Sequence, residues 1–203
     1  MPHRTGGSPL IFRAGETILR PGVPAAPPRV YKVLSGLVRV LQADEKGNVL
    51  VLRYVTPGSF LGEEALANSE RRYHAEAVLD TQLQPLDAQA LNTDEFNEIA
   101  SDLVNAIGQT YSSIQRLSAQ RLRNRLAAAL LDLAKTPLAQ RDSRGQIVLR
   151  VTHDELASII GSVRETTTKT IGELSQAGLV SSGYGRLRLL DIDSLAKLAE
   201  QYD

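Results

Sequence analysis

The 203-residue chain contains no cysteine. Disulfides, iron–sulfur clusters and thiol nucleophiles are therefore excluded. Histidine is almost as scarce. Metal-dependent catalysis needs imidazoles clustered with a carboxylate, yet His3 lies in the N-terminal tail, His74 stands alone in a β-rich segment, and His153 falls in the first turn of a capped helix. No catalytic residue and no metal ligand set is assigned. Long apolar runs are missing too: nothing approaches membrane-spanning length, and the opening residues lack an apolar stretch. A cytoplasmic protein with no membrane partner is the expectation. The formal net charge is zero. That balance neither supports nor opposes a polyanionic partner, because a few placed cations and helix N-termini suffice for specific contacts.

The most informative stretch runs from Val151 to Leu190. Thr152 and Glu155 have the spacing of a capping box, which predicts a short helix from about His153 to Ile160. Gly161 follows where the chain needs a left-handed residue. Ser162 and Glu165 repeat the capping spacing and predict a second helix from Val163 to about Gln176, stopped by Gly178. On that helix Val163, Thr167, Ile171 and Leu174 share a face suited to packing on Leu156, Ile159 and Ile160, while Arg164, Glu165, Thr168 and Lys169 lie opposite, near its start. Leu179–Ser182, Gly183-Tyr184-Gly185 and Arg186–Leu190 read as strand, tight turn and returning strand, a β-wing. Helix-turn-helix geometry serves DNA reading and also interaction modules, and a charged helix face is as readily a solvated surface. In the DNA-reading alternative, arginine donates two parallel bonds to guanine O6 and N7, glutamate accepts from cytosine N4, and lysine reaches guanine or phosphate. Arg141, Arg144, Arg150, Arg186 and Arg188 are further basic side chains available to the DNA backbone.

Earlier in the chain, residues 1–9 read as disordered, and the segment to about Leu86 as all-β. The expected strands are Val30–Leu34, Leu37–Gln42, Val49–Val55, His74–Leu79 and Gln82–Leu86, separated by Gly15, Pro21-Gly22, Pro24, Pro27-Pro28, Gly36, Gly47-Asn48 and Pro57-Gly58. Short strands with regular turns predict a sandwich or jelly-roll barrel. One long helix is expected over residues 94–134, ended by Thr136-Pro137. Leu103, Ile107, Thr110, Ile114, Leu117 and Arg121 form a stripe of coiled-coil spacing; Leu122, Leu126, Ala129, Leu130 and Leu133 continue it shifted by one residue. The first stripe suits either a second copy or the chain's own β-domain.

The core Gly161-x-x-Arg164-Glu165-Thr166, within Ile159–Lys169, closely resembles the recognition region of the cyclic-AMP receptor protein and FNR superfamily. Phe12 with Gly15-Glu16, Tyr31-x-Val-Leu-x-Gly-Leu-Val-Arg-Val and Gly58-x-Phe-Leu-Gly-Glu resemble its effector β-roll, so the likeness covers nearly the whole chain. It implies an α+β fold: an N-terminal jelly-roll domain over 1–93, a long dimerisation helix and hinge over 94–136, and a C-terminal winged helix-turn-helix over 137–203. By resemblance, Arg164 and Glu165 read a G and a C in each half-site and Thr166 contacts phosphate, with Thr152, Ser162, Thr168 and Arg186 as further backbone contacts. Lys169 stands where the cyclic-AMP receptor has an arginine, and lacks the bidentate fork. The implied partners are double-stranded DNA, RNA polymerase and a second copy of the chain, in a regulator expected to be an activator rather than a repressor.

The effector pocket departs from the family pattern. Gly62 and Glu63 match the pair whose glutamate holds ribose; Arg71 or Arg72 matches the phosphate arginine, but Arg72 or Tyr73 follows it where the family has serine or threonine. Thr110 and Tyr111 stand where the receptor presents Thr-Ser to adenine. A phosphate site needs its donors together. The expectation is therefore a regulator with no cofactor, in which Gly62 turns the chain, Glu63 and Glu64 start a short helix, and Arg71-Arg72 is a solvated turn. The alternatives are a cyclic-AMP-dependent regulator with a modified pocket and an adaptor that binds no DNA.

Overall fold

The computed structural model describes residues 7–23 and 27–201, so the disorder expected of residues 1–6 and the turn expected at Pro24 lie outside the described residues. Gly7, also expected to be disordered, is tied to the β-domain: its carbonyl accepts from the Gln84 side chain at 2.7 Å. The chain forms two compact units, Met1–Tyr111 and Ser112–Asp203.

Among the described residues eight strands build the first unit: β1 (Leu10–Phe12), β2 (Thr17–Leu19), β3 (Arg29–Ser35), β4 (Val38–Ala43), β5 (Val49–Val55), β6 (Phe60–Leu61), β7 (His74–Ala77) and β8 (Thr81–Asp87). They pair antiparallel into two four-stranded sheets, ordered β1-β8-β3-β6 and β2-β7-β4-β5. Alternation on β4 shows how sequence becomes layer: Val38 and Val40 are buried, while Arg39 between them pairs across the sheet with Glu76 at 2.8 Å. Leu19, Val33, Val38, Val40, Val55, Leu61, Ala75 and Leu83 close the core from both sheets. The five expected strands are present. β1, β2 and β6 are additional, and each is too short to show a period.

Helix α1 (Thr93–Ala119) follows. Asn92 caps it reciprocally: its side-chain oxygen accepts from the Glu95 amide at 2.9 Å, and the Glu95 carboxylate accepts from the Asn92 amide at 3.0 Å. Ile99 is buried with Val30, Phe60, Ala65 and Leu86, Leu103 packs beside it, and the Asp102 carboxylate accepts from the Phe60 amide at 2.9 Å.

The expected single helix over 94–134 is two. After Ala119 the chain turns extended at Arg121 (φ −63°, ψ 153°), and α2 (Leu122–Leu133) begins. No proline or glycine marks the break. Its cause is the one-residue shift of the apolar stripe, which a straight helix cannot bury on one side. Buried Gln120 donates to the Ala199 carbonyl at 2.7 Å and Asn124 to the Gln201 carbonyl at 3.0 Å, while Arg125 donates to the Leu117 carbonyl at 3.1 Å. Carbonyls that a helix end leaves orphaned are satisfied this way.

The second unit continues with β9 (Ala139–Arg141), β10 (Ile147–Leu149), α3 (His153–Ile160), α4 (Arg164–Gln176), β11 (Val180–Gly183), β12 (Arg186–Leu189) and α5 (Ile192–Ala199). Its sheet runs β11-β12-β10-β9. Leu126, Leu130, Leu133, Leu149, Leu156, Ile171, Leu174, Leu187 and Leu195 are among its buried core residues. The β9–β10 hairpin and α5 were not among the expected elements. Among the described residues no helix is long and apolar enough to cross a membrane.

Gly36 sets the corner between β3 and β4. It is left-handed (φ +90°), and a Cβ there would overlap the Asp80 carbonyl and the Thr81 hydroxyl, which itself accepts from the Leu37 amide at 3.2 Å. Gly47 is also left-handed (φ +83°) but faces open space. Gly47→Ala should cost about 1 kcal/mol, from backbone strain alone. Gly36→Ala should cost at least about 3 kcal/mol, since overlap adds to strain. Urea unfolding of the two variants measures the difference, and equal costs would rule out the overlap.

Candidate nucleic-acid interface

α3 starts as the sequence predicts. The Thr152 hydroxyl accepts from the Glu155 amide at 3.2 Å and the Glu155 carboxylate accepts from the Thr152 amide at 2.7 Å, a complete capping box. Gly161 ends the helix in the left-handed region (φ 61°, ψ 51°). The second capping box does not form. The Ser162 amide donates back to the Ala157 carbonyl at 3.0 Å, closing a Schellman turn, so Ser162 belongs to the end of α3. Val163 becomes the cap residue of α4, with no side-chain cap, and α4 begins at Arg164.

That shift moves Val163 out of the expected inner face: it is exposed, and the buried face of α4 is Thr167, Thr170, Ile171 and Leu174, on a helix that packs against α3. The hydroxyls of Thr167 and Thr170 donate to the Val163 and Thr166 carbonyls at 3.0 and 2.9 Å, which makes their burial tolerable. Arg164, Glu165, Thr166, Thr168 and Lys169 are all exposed on the opposite side. Two neighbours on α3 hold this face. The Arg164 Nη1 lies 3.1 Å from the Asp154 carboxylate, and the His153 ring bridges the Thr168 hydroxyl (2.9 Å) and the Ser182 hydroxyl of β11 (3.3 Å). Sequence reading did not single out Asp154 or this use of His153. Helical periodicity relates residues within one helix, whereas these contacts cross from one helix to the next.

The wing forms as expected, with Gly183 paired to Arg186 across Tyr184-Gly185. On β12, Leu187 and Leu189 face the core while Arg186 and Arg188 face outward. Together with Arg150, Ser181 and Tyr184 these arginines line a cavity of about 360 Å³ on the open face of the sheet. Arg188 is paired with Asp142 at 2.9 Å, and Arg141 donates to the Gly145 carbonyl at 2.8 Å. Arg150 and Arg186 make no ion pair among the described residues. Thr152 and Thr168 already have protein partners for their hydroxyls.

The expected effector residues lie at the edge of a polar cluster inside the β-roll. Gly62 is left-handed (φ 83°) and packs so closely on β3 that a Cβ would stand 3.1 Å from the Arg29 carbonyl. It opens a short 3-10 turn, Glu63–Ala67, as expected. Glu63 is ion-paired with Arg53, and both side chains are largely buried. Tyr73 reaches into the same cluster: its hydroxyl donates to Glu64 at 2.9 Å and accepts from the Gly62 amide at 3.3 Å. Burial, then the charges of Glu63 and Glu64, push this phenol above its ordinary range, so it stays a protonated donor. Arg71 is not a solvated turn: it is 6% exposed, with its Nε 4.0 Å from Glu64, because the carboxylate cluster draws the guanidinium inward. Arg72 is exposed. Thr110 donates its hydroxyl to the Ala106 carbonyl of its own helix at 2.9 Å, and Tyr111 is exposed. A ribose entering here would meet a Glu63 carboxylate already bound to Arg53, whereas the buried Arg71 Nε has no hydrogen-bond partner. Among the described residues no group of three or more histidine, aspartate or glutamate side chains could hold a metal ion.

α1 divides the expected stripe. Leu103 is taken up by the chain's own core, and Thr110 is half-buried. Ile107, Ile114 and Leu117 remain exposed and share a face with Val104 and Tyr111. Arg121 is the extended residue at the helix break.

Arg53→Met is expected to cost about 3–5 kcal/mol, because Glu63 is then buried unpaired, and adding Glu63→Gln should return most of that loss. Urea unfolding of the single and double variants measures both. A single variant as stable as the parent would mean that the pair is solvated in solution.

Comparison with known proteins agrees with this architecture. The profile of the cyclic nucleotide-binding domain matches residues 9–93, and that of the Crp-like helix-turn-helix domain matches residues 124–198. Transcriptional regulator SdrP of Thermus thermophilus is 51% identical over 93% of each chain, and transcriptional regulator LdrP of the same species is 36% identical over 93% of this chain and 95% of its own. The crystal structure of a CRP/FNR-family transcriptional regulator from Thermus thermophilus, 49% identical, superposes with a TM-score of 0.92 over 97% of this chain and all of that one. These relatives are regulators, not enzymes. A β-roll, a long helix and a winged helix-turn-helix in this order, matched end to end by such regulators, place the chain in the CRP/FNR family of DNA-binding transcriptional regulators.

Proposed function

We propose that the chain is a homodimeric activator that binds a two-fold symmetric promoter site, acts with RNA polymerase, and needs no cyclic nucleotide. The observation that carries effector independence is the ion pair between Glu63 and Arg53, joined by Tyr73. The side chain that would hold a ribose hydroxyl is already neutralised, and Arg72 or Tyr73 stands where the family has a small hydroxyl. Opening the cluster for a ligand would leave buried charge uncompensated. Dimerisation is supported by the exposed stripe Val104, Ile107, Tyr111, Ile114 and Leu117. Five large apolar side chains along one helix face are a surface that water disfavours.

On DNA, α4 enters the major groove by its N-terminal end. Arg164 donates to guanine O6 and N7, Glu165 accepts from cytosine N4, and Lys169 contacts guanine or phosphate as a point charge. Thr166 and Arg186 contact phosphates. Ser162, Thr152 and Thr168 lie at the same edge; the Thr152 and Thr168 hydroxyls are already bonded within the protein, and Ser162 offers its hydroxyl to a phosphate. Two such units on one dimer would read half-sites about 34 Å apart.

A second reading, cyclic-AMP dependence through a modified pocket, draws on one observation: Arg71 is buried and its Nε has no hydrogen-bond partner. Selection from a random DNA pool at physiological salt, with and without cyclic AMP, separates the two. Enrichment of a palindrome in both arms is expected; enrichment only with nucleotide would favour the second reading. Arg164→Ala should lose about 1–3 kcal/mol on the selected site and relax one G, and equal loss on random DNA would make Arg164 a phosphate contact. Ile114→Glu should sediment as a monomer. A dimer that survives this change would place the interface elsewhere.

A further inference from the structure

We infer that Asp154, on the first turn of α3, is a positioning residue that selects which edge of the Arg164 guanidinium faces the base, and so sets the preference for guanine. The inference rests on the reading of Arg164 as a base contact. Its basis is the 3.1 Å approach of the Asp154 carboxylate to Nη1 of Arg164. A guanidinium has two edges with paired parallel donors, one formed by Nη1 and Nη2 and the other by Nε and Nη2. Engaging Nη1 leaves the Nε–Nη2 edge intact. That edge matches the O6 and N7 acceptors of guanine.

Asp154 is well placed for this because its backbone is held on three sides. The capping box of Thr152 and Glu155 fixes the start of α3; the neighbouring His153 ring ties the turn to Thr168 on α4 and Ser182 on β11; and the Ser158 hydroxyl donates to the Asp154 carbonyl at 3.0 Å. Arg164 itself is the first residue of α4, so both partners of the pair stand on helix starts, that of α3 set by the Thr152 capping box and that of α4 by the Gly161 turn. In the free protein the pair is more than half exposed on both sides and adds little to stability. Docking changes that. Water leaves the groove, the local dielectric falls, and the same pair holds a side chain that otherwise samples many rotamers. With α4 in the groove the carboxylate would also lie close to phosphates, which it repels. Asp154 therefore weakens binding to DNA in general while sharpening the choice of base.

Those two effects have opposite signs, and measuring both tests the inference. Affinities of the parent, Asp154→Asn, Arg164→Ala and the double variant are measured by fluorescence anisotropy on two duplexes, the selected palindrome and one with adenine replacing the guanine read by Arg164. Taking the ratio of the two affinities within one preparation cancels any loss of folded protein. Asp154→Asn should bind the substituted duplex as tightly as the parent or tighter, yet lower the ratio about fivefold to tenfold. In the Arg164→Ala background it should leave the ratio unchanged. A ratio unaltered by Asp154→Asn, with Arg164→Ala still abolishing the preference, would overturn the positioning role while leaving the base contact standing. A preference that survives Arg164→Ala would remove the base contact and the inference with it.

Discussion

Everything that α4 can present depends on a three-residue hand-over between Ile160 and Arg164. Gly161 stands in the left-handed region, and the amide of Ser162 is turned back to the Ala157 carbonyl. A side chain at Gly161 would oppose that conformation by roughly 1–2 kcal/mol. More is at stake than the strain. The hand-over decides that α4 begins at Arg164, which places Arg164 and Glu165 in its first turn and sends Thr167, Ile171 and Leu174 inward. A start one residue earlier would rotate the inward set by about 100°.

The β-roll is organised by a different constraint, the need to satisfy buried charge. Arg53 on β5, Glu63 and Glu64 on the 3-10 turn, and Arg71 and Tyr73 just before β7 converge so that each carboxylate faces a donor. Such clusters stabilise little compared with an apolar core, but losing one member is costly. A site of this kind specifies one arrangement. In the proposed effector-free regulator this stands where a ligand stands in cyclic-nucleotide sensors: the roll is already in the state that a ligand would otherwise select. Control would then rest on the amount of protein present.

Local chemistry was legible in the sequence, and competition between neighbouring signals was not. Thr152 and Glu155 announce their capping box because nothing else claims their groups. Ser162 and Glu165 have the same spacing, but the Schellman turn claims the Ser162 amide first. The break at Gln120 left its trace as a one-residue shift in the stripe, though neither proline nor glycine marks it. Strands β1, β2 and β6 are too short for alternation, and α5 is short with its only start signal in Asp191, whose side chain accepts from the Ser194 amide at 2.9 Å. Arg71 reads as solvated in the sequence because burial of an arginine depends on a carboxylate seven residues away, Glu64, brought near by a turn. The same limit hid Asp154: a pair between two helices has no period.

Helix α1 shows how one periodic stripe can serve two masters. Leucines and isoleucines spaced by three and four suit a coiled coil and an ordinary amphipathic helix alike. The structure separates them by one residue. Ile99 and Leu103 descend into the roll, and Asp102 fixes the helix there through the Phe60 amide; Val104, Ile107, Tyr111 and Ile114 step round to the open side. Val104, Ile107, Tyr111 and Ile114 keep the three-four spacing of a coiled coil on the face that the chain's own roll leaves open. A helix anchored along one side by its own domain can present the other side rigidly, with little ordering entropy left to lose on pairing.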